Sequence, residues 1–409
     1  MFSSLEFGPI LRTLMRNKVG ALLIALQIAV TMTIVVNAVF IIGERTDLMA
    51  RDSGVDELNS FHITSMGYAN DFNHKQSIEE DLLAIRNTPG VLNATTINSV
   101  PISGGGWSMS LQVESGENKD DTPTAVYMVD EQAIETLDVE LIAGSNFTAE
   151  EIRDRDGDAP GWPQNIIITK ALANSIFPDI PVADVVGKTL FIENIEPIQV
   201  IGIIDKLQAP WIGWDSLESV MLSPERIMYD TNTRYFIRTE PGMRDQLMPE
   251  IEELLATRMQ GRIVEDLRSF EEVRERSYQR HAAMIKILTA VMITLVIITG
   301  LGIIGLASFN VNRRKKQIGT RRALGASQLN IIRYFMLENF IITTMGVLVG
   351  AGLTIGLNMT LVSMFELGRM DWFYIPLGMA CLWVLGQIAV FGPAKKAAGI
   401  PPALATRTV

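Results

Sequence analysis

The residues with the most chemical potential fall in one run, Arg313-Arg314-Lys315-Lys316-Gln317-Ile318-Gly319-Thr320-Arg321-Arg322-Ala323-Leu324-Gly325-Ala326-Ser327. Lysine and arginine at that density hold a short loop on the cytoplasmic side of a membrane. Retention alone does not explain the glycines. Gly325 can end a short helix in the left-handed conformation, and Ser327 can cap the start of the next one. The run therefore predicts a short helix lying at a membrane surface, shaped to be pushed by something in the cytoplasm. Its chemistry is docking, not bond making.

Other candidates fall short of a reaction centre. Gly187-Lys188-Thr189 imitates the end of a phosphate loop, but Val182 stands where the pattern needs its first glycine. Asp154, Asp156 and Asp158 alternate as in a calcium loop, yet Asn165 takes the place of the bidentate Glu, which leaves a solvated acidic loop. His62, His74 and His281 have neither metal-ligand spacing nor a partnered nucleophile. Glu338 is a lone acid in an apolar stretch and reads as a snorkelling side chain reaching the interface or Arg333, with a proton relay as the other reading. The chain is expected to be no enzyme and to bind no metal or cofactor itself.

The elements that must position the basic run are membrane helices. Apolar spans cover about 19–43, 282–309, 331–359 and 373–391, each about as long as the roughly 20 residues that cross a bilayer as helix. The first is longer than a leader's apolar core and has no small-x-small site before Glu44, so it is expected to stay as an anchor. Arg12, Arg16 and Lys18 precede the first span, the basic run with Arg333 joins the second and third, and Lys395, Lys396 and Arg407 follow the fourth. The third and fourth are joined by a short turn with Glu366, Arg369 and Asp371. By the retention of positive loops both termini are cytoplasmic, and 44–281 lies outside, in the periplasm of a bacterial inner-membrane protein. A formal net charge of −11, concentrated in that region, argues against nucleic acid. The only cysteine, Cys381, lies in the fourth span, so the outer domain is held by its core and not by disulfides.

Within 44–281, strand and helix patterns alternate. Short β-rich stretches at 61–65 and 95–100 flank an amphipathic helix at 77–86 whose Ser77 and Glu80 form a capping box, which reads as a βαβ unit. Further strands are expected at 108–113, 124–129, 166–169, 189–192, 198–204 and 234–238, with helices at 171–176 and 248–259. A helix starting near Glu271 runs into the second span. The fold class is a four-helix transmembrane α bundle with a large α+β periplasmic domain inserted between its first and second helices. That domain is expected to have two lobes, 58–130 plus 230–280 and 131–229. Residues 1–18 form a cytoplasmic amphipathic segment, 310–330 the coupling segment and 392–409 the tail.

Gln317 to Ser327 resembles the E-I-G-x-R-R-A-L-G-A-S signature of permeases of the MacB, LolC/LolE and FtsX type, the mechanotransmission class of ABC transporters. The tail from Pro393 to Leu404 is similar to the family's closing P-A-x-x-A-A-x-x-x-P-x-x-A-L, and Leu11 to Lys18 to its opening amphipathic segment. The runs 134–147, 171–178 and 186–189 are similar to MacB-type periplasmic domains. This resemblance implies ATPase-coupling roles for Gln317, Ile318, Gly319, Arg321, Arg322, Ala323, Leu324, Gly325 and Ala326. Gln317 stands where the family has Glu, so an acidic contact is not carried over there. It also implies a separate cytoplasmic ABC ATPase dimer that holds ATP and Mg, and a second permease chain, identical or paralogous. Gly346, Gly350, Gly352 and Gly356 keep small-xxx-small spacing that suits packing of such a dimer, or contact within one chain. The implied function is conversion of ATP-driven closure into periplasmic motion. MacB-like export through an adaptor and a TolC-like outer-membrane channel is the first reading. FtsX-like control of a cell-wall hydrolase and LolC/LolE-like lipoprotein extraction are the alternatives.

Overall fold

The computed structural model describes residues 18–117, 119–156, 161–365 and 368–401. Most of the opening segment at 1–18 and of the tail beyond Pro401, with Glu366 and Asp158, lies outside them. In chain order, α1 (Lys18–Met49) leads to β1 (Ser60–Gly67), α2 (His74–Arg86), β2 (Val91–Thr96), β3 (Trp107–Gln112) and β4 (Asp121–Val129). Next come α3 (Ala133–Leu137), β5 (Leu141–Gly144), β6 (Arg153–Arg155), β7 (Asn165–Thr169), α4 (Lys170–Ile176), β8 (Thr189–Ile192) and β9 (Glu196–Ile204). The chain continues through β10 (Val220–Ile227), β11 (Asn232–Thr239), α5 (Arg244–Arg258), β12 (Arg262–Ser269) and α6 (Phe270–Arg313). It closes with α7 (Lys315–Ala323), α8 (Gln328–Phe365) and α9 (Tyr374–Ala398). Two units result, one of residues 1–50 with 281–409 and one of residues 51–280.

In the first unit α1, α6, α8 and α9 are each long and apolar enough to cross a membrane. Lipid gives no hydrophobic drive between such helices, so close backbone approach and interhelical hydrogen bonds hold them. Gly346 and Gly350 provide the approach. A Cβ on Gly346 would stand 2.8 Å from Ile28 and from the Ala25 carbonyl, and one on Gly350 2.9 Å from the Met32 Cβ. Polar ties lie on the same seams: the Thr31 and Thr299 hydroxyls are 2.7 Å apart, and the Asn339 Nδ2 donates to the Gly386 carbonyl at 2.9 Å. Ile28, Met32, Val36, Val347 and Val390 fill the space between.

The second unit is built on two sheets. The first is antiparallel in the order β12-β1-β11-β2, with α2 and α5 on one face. Period-two alternation explains the arrangement. Phe61, Ile63, Tyr235 and Ile237 point to the helices and pack on Ile78, Leu82, Ile251 and Leu255, while the residues between them face the other way. Because β11 lies between β1 and β2, the expected βαβ unit is split. The start of α2 is also earlier than expected. Asn73 is its cap, accepting from the Gln76 N–H at 3.1 Å, whereas Ser77 is buried inside the helix and bonds Asp81. Asp81 pairs with Arg262 at 2.5 Å, both side chains fully buried, and the Tyr235 hydroxyl donates to the same carboxylate at 2.8 Å.

The second sheet runs β4-β3-β8-β9-β7-β10-β6, and an added β4–β10 pairing closes six of these strands into a ring. Inside sit Leu111, Val126, Met128, Ile166, Ile168, Leu190, Val200 and Met221. Since β3 and β4 belong here, residues 107–129 leave the first lobe to which the sequence pattern assigned them. Four strands escaped that pattern: β5 and β6 are only four and three residues long, β10 contains Pro224 and Glu225, and β12 reads R-I-V-E-D-L-R-S, too charged for an alternation signal.

His62, on the face of the first sheet away from the helices, is buried with no hydrogen-bond partner for Nδ1. Burial lowers its pKa to about 4. Asp266, whose carboxylate is 3.9 Å away, opposes the shift, and Arg234 and Arg268 add to it. The unfolded chain takes up this proton near the ordinary 6.5, so stability is full above that pH and is lost as pH falls from about 6.5 to about 4. The interval corresponds to about 3 kcal/mol. Thermal unfolding of the intact chain over that range should show a steeper loss than in His62→Gln, and parallel profiles would remove His62 as the cause.

Candidate functional site

The site is the turn from α6 through α7 into α8. Its first fixed point is Arg314, which breaks the helix (φ −103°, ψ 13°) and sends its guanidinium onto Glu338 of α8 in two parallel bonds of 2.9 and 3.1 Å. The pair is largely shielded, the Arg314 side chain 13% exposed and that of Glu338 5%. Fork-to-fork geometry makes this the strongest common type of protein ion pair. Arg333, the partner considered from the sequence, is not the one used.

The second fixed point is apolar. Ile318 and Gly319 are buried, and Ile318 packs on Val311, Ile331, Phe335, Ala394 and Ala397, so α6, α8 and α9 all grip α7. Ala326 packs against the same cluster. The third is the helix end. Gly325 has φ +96°, its N–H donates to the Arg322 carbonyl at 3.1 Å, and the Ala326 N–H donates to the Arg321 carbonyl at 3.0 Å. The Arg322 guanidinium donates to the Ala326 carbonyl at 3.1 Å. Ser327 then caps α8 by accepting from the Asn330 N–H at 3.2 Å. This is the expected left-handed stop followed by a serine cap.

With those contacts made, Lys315, Lys316, Gln317, Thr320, Ala323 and Leu324 remain exposed, and Leu324 is 83% exposed. Gln317, Thr320 and Leu324 follow helical spacing and share one face. Arg321 lies over the Tyr334 ring at 4.8 Å, a cation–π contact. The result is a short helix with a buried seat and a free face whose most exposed member is apolar, which suits seating in a pocket of another protein.

The glycine stripe divides. Gly346 and Gly350 close on α1 of the same chain, the second of the two uses expected for the stripe. Gly352 and Gly356 have open space where a Cβ would be. Elsewhere, Thr189 opens a strand, whereas a phosphate loop opens a helix, and Asp154 is held by Lys75 at 2.6 Å and Arg226 at 3.0 Å. Sequence reasoning missed the Arg314–Glu338 pair. The available signal was Glu338 itself, since an acid inside an apolar span requires a cation, and Arg314 is the first arginine inside the break.

Family models match most of the chain: the MacB-like periplasmic core domain over residues 21–254 and the FtsX-like permease C-terminal over 289–402. The chain belongs to the MacB-like, FtsX-type ABC transporter permeases. As a permease of this family it is an inner-membrane protein with a periplasmic α+β domain between the first and second of four candidate membrane helices. It is 26% identical over 270 residues to the macrolide export ATP-binding/permease protein MacB of Marinobacter nauticus, covering 64% of this permease and 40% of that protein. It is 27% identical over 231 residues to the pyoverdine export ATP-binding/permease protein PvdT of Pseudomonas fluorescens, covering 55% and 35%. The permease thus spans well under half the length of these relatives. It is also similar to the extracellular domain of the ABC-type transporter YknZ from Gram-positive bacteria, at 16% identity and a TM-score of 0.31 over 50% of this chain and all of that one.

Arg314→Met strands Glu338 without a partner, at a cost of about 3–5 kcal/mol. Amide exchange across Lys315–Ala323 should then accelerate at least roughly tenfold, and less in Arg314→Met/Glu338→Leu; unchanged exchange would show that the apolar seat alone holds α7. In the bundle, Gly350→Val should destabilise the purified permease while Gly356→Val leaves its melting temperature unchanged, because only the first places a side chain against α1.

Proposed function

We propose that this chain is the permease subunit of an ABC exporter and that α7 is the element a separate cytoplasmic ATPase dimer pushes. ATP and Mg belong to that ATPase, and this chain is non-catalytic. The observation that carries the reading is α7 itself. Its buried side is fixed by Arg314–Glu338 and the Ile318 seat, and its free face ends in an exposed leucine. A helix held by the ends of three membrane helices passes a load to all of them, as a freely hinged loop does not.

In this reading both termini and α7 are cytoplasmic, in keeping with Lys315, Lys316, Lys395 and Lys396. Two permease chains, identical or paralogous, move together as the ATPase closes. The open positions Gly352 and Gly356 are available for their contact. Continuity of α6 from Phe270 to Arg313 supports transfer of motion toward the periplasmic domain. Substrate is moved on the periplasmic side, through an adaptor and an outer-membrane channel. Relatives named for macrolide and pyoverdine export favour export over the hydrolase-regulator and lipoprotein-extraction readings.

Leu324→Asp tests the proposal cleanly because the side chain has little to lose in folding. Affinity purification from native membranes should recover the ATPase with the parent chain and about tenfold less with this variant, as expected when a central apolar anchor is lost. The melting temperature should be unchanged. Equal recovery would mean that α7 only fixes topology.

A further inference from the structure

The face of the first periplasmic sheet away from α2 and α5 looks in part onto the ring of the second, and between them lies a cavity of about 270 Å³. Thr64 and Arg234 line it from one side, and Arg226, Trp107 and Tyr229 from the other. Thr64, directly opposite Arg234 in the β1–β11 pairing, is more than nine-tenths buried, and its hydroxyl has no hydrogen-bond partner within the protein. A buried hydroxyl left unmet is costly, so it marks a place arranged to receive a hydrogen-bonding atom. Arg234 spends one nitrogen on the Asn98 carbonyl at 2.9 Å, and its Nε has no partner.

Charge narrows the ligand. Two carboxylates around the cavity are paired with arginines, Glu225 with Arg155 at 3.0 Å and Asp266 with Arg268 at 2.6 Å, while both oxygens of Asp230 accept from Asn232. Among the described residues no carboxylate lies within ion-pairing distance of Arg234, so it is the cation left to a ligand. At the rim, Trp107 and Tyr229 stack with ring centroids 6.2 Å apart and planes 16° apart, and both remain over a third exposed. We propose that this cleft binds a small aromatic anion, its carboxylate on Arg234 and the Thr64 hydroxyl and its ring against the Trp107–Tyr229 rim. A cavity just under the roughly 300–1,000 Å³ of most ligand pockets sizes it at one or two fused rings. The site is separate from α7, and its occupancy is measured without an ATPase.

The test is titration calorimetry of the full chain in nanodiscs with 2-naphthoate, against empty nanodiscs. Comparators are 2-naphthylmethylammonium, with the same rings and opposite charge, and cyclohexanecarboxylate, an anion without an aromatic ring. Naphthoate should bind saturably, one per chain, with the cation at least tenfold weaker and the saturated acid several-fold weaker. Arg234→Gln should weaken naphthoate at least tenfold. Because Arg234 also holds Asn98, Thr64→Val serves as the second variant, keeping shape and melting temperature while losing several-fold in affinity. No saturable binding, equal binding of the cation, or undiminished binding in both variants would overturn the proposal.

Discussion

Glu338 is a carboxylate among membrane helices, and a charge in that setting is tolerated only with its countercharge beside it. Arg314 satisfies that requirement and thereby decides where α6 stops, since the residue that reaches Glu338 is the one whose backbone leaves the helix. The whole turn from α6 into α8 follows from this placement. With Arg314 fixed on α8, the next turn of chain must begin close to the bundle, so Ile318 falls into the apolar seat formed by α6, α8 and α9. Gly325 then permits the reversal that starts α8. A single ion pair, one apolar seat and one left-handed glycine thus orient the free face of α7.

The periplasmic domain carries a second buried pair with a different task. Asp81 and Arg262 are fully enclosed, and Ser77 and Tyr235 supply further hydrogen bonds. Their partners lie on α2, β11 and β12, elements far apart in sequence. Replacing such a pair with apolar residues is often neutral for stability, while removing one member is costly. Its contribution here is register: only one alignment of β12 beside β1 brings Arg262 under Asp81. The other sheet solves its edge problem differently, since closing six strands into a ring pairs both sides of each strand within it.

Much of this was legible in the sequence because the signals were strong and local. Long apolar runs, the glycine stop at Gly325 and the cap at Ser327 each depend on physics confined to a few residues. Strands 165–169, 189–192 and 196–204 were found for the same reason, being rich in isoleucine and bounded by turns. What failed depended on distance. Nothing near residues 107–129 says which sheet they join, since strand partners are chosen by tertiary packing, and β10 and β12 hide behind a proline and alternating charges. At the candidate site the exposed and buried sides of α7 could not be separated from sequence alone. Four evenly spaced glycines looked alike, although two press on α1 and two face open space.

Helix α7 is only nine residues long. Isolated helices shorter than about 12–15 residues are marginal in water, and Lys315 and Lys316 sit at the end where the backbone dipole disfavours positive charge. Its order is therefore on loan from its surroundings. The ion pair and the apolar seat supply at the flanks what the segment lacks internally, so its helical content is a readout of how α6, α8 and α9 are spaced. A rearrangement of those three helices by a fraction of a turn would register first as melting or tightening of this short segment, before any helix in the bundle changed its own secondary structure.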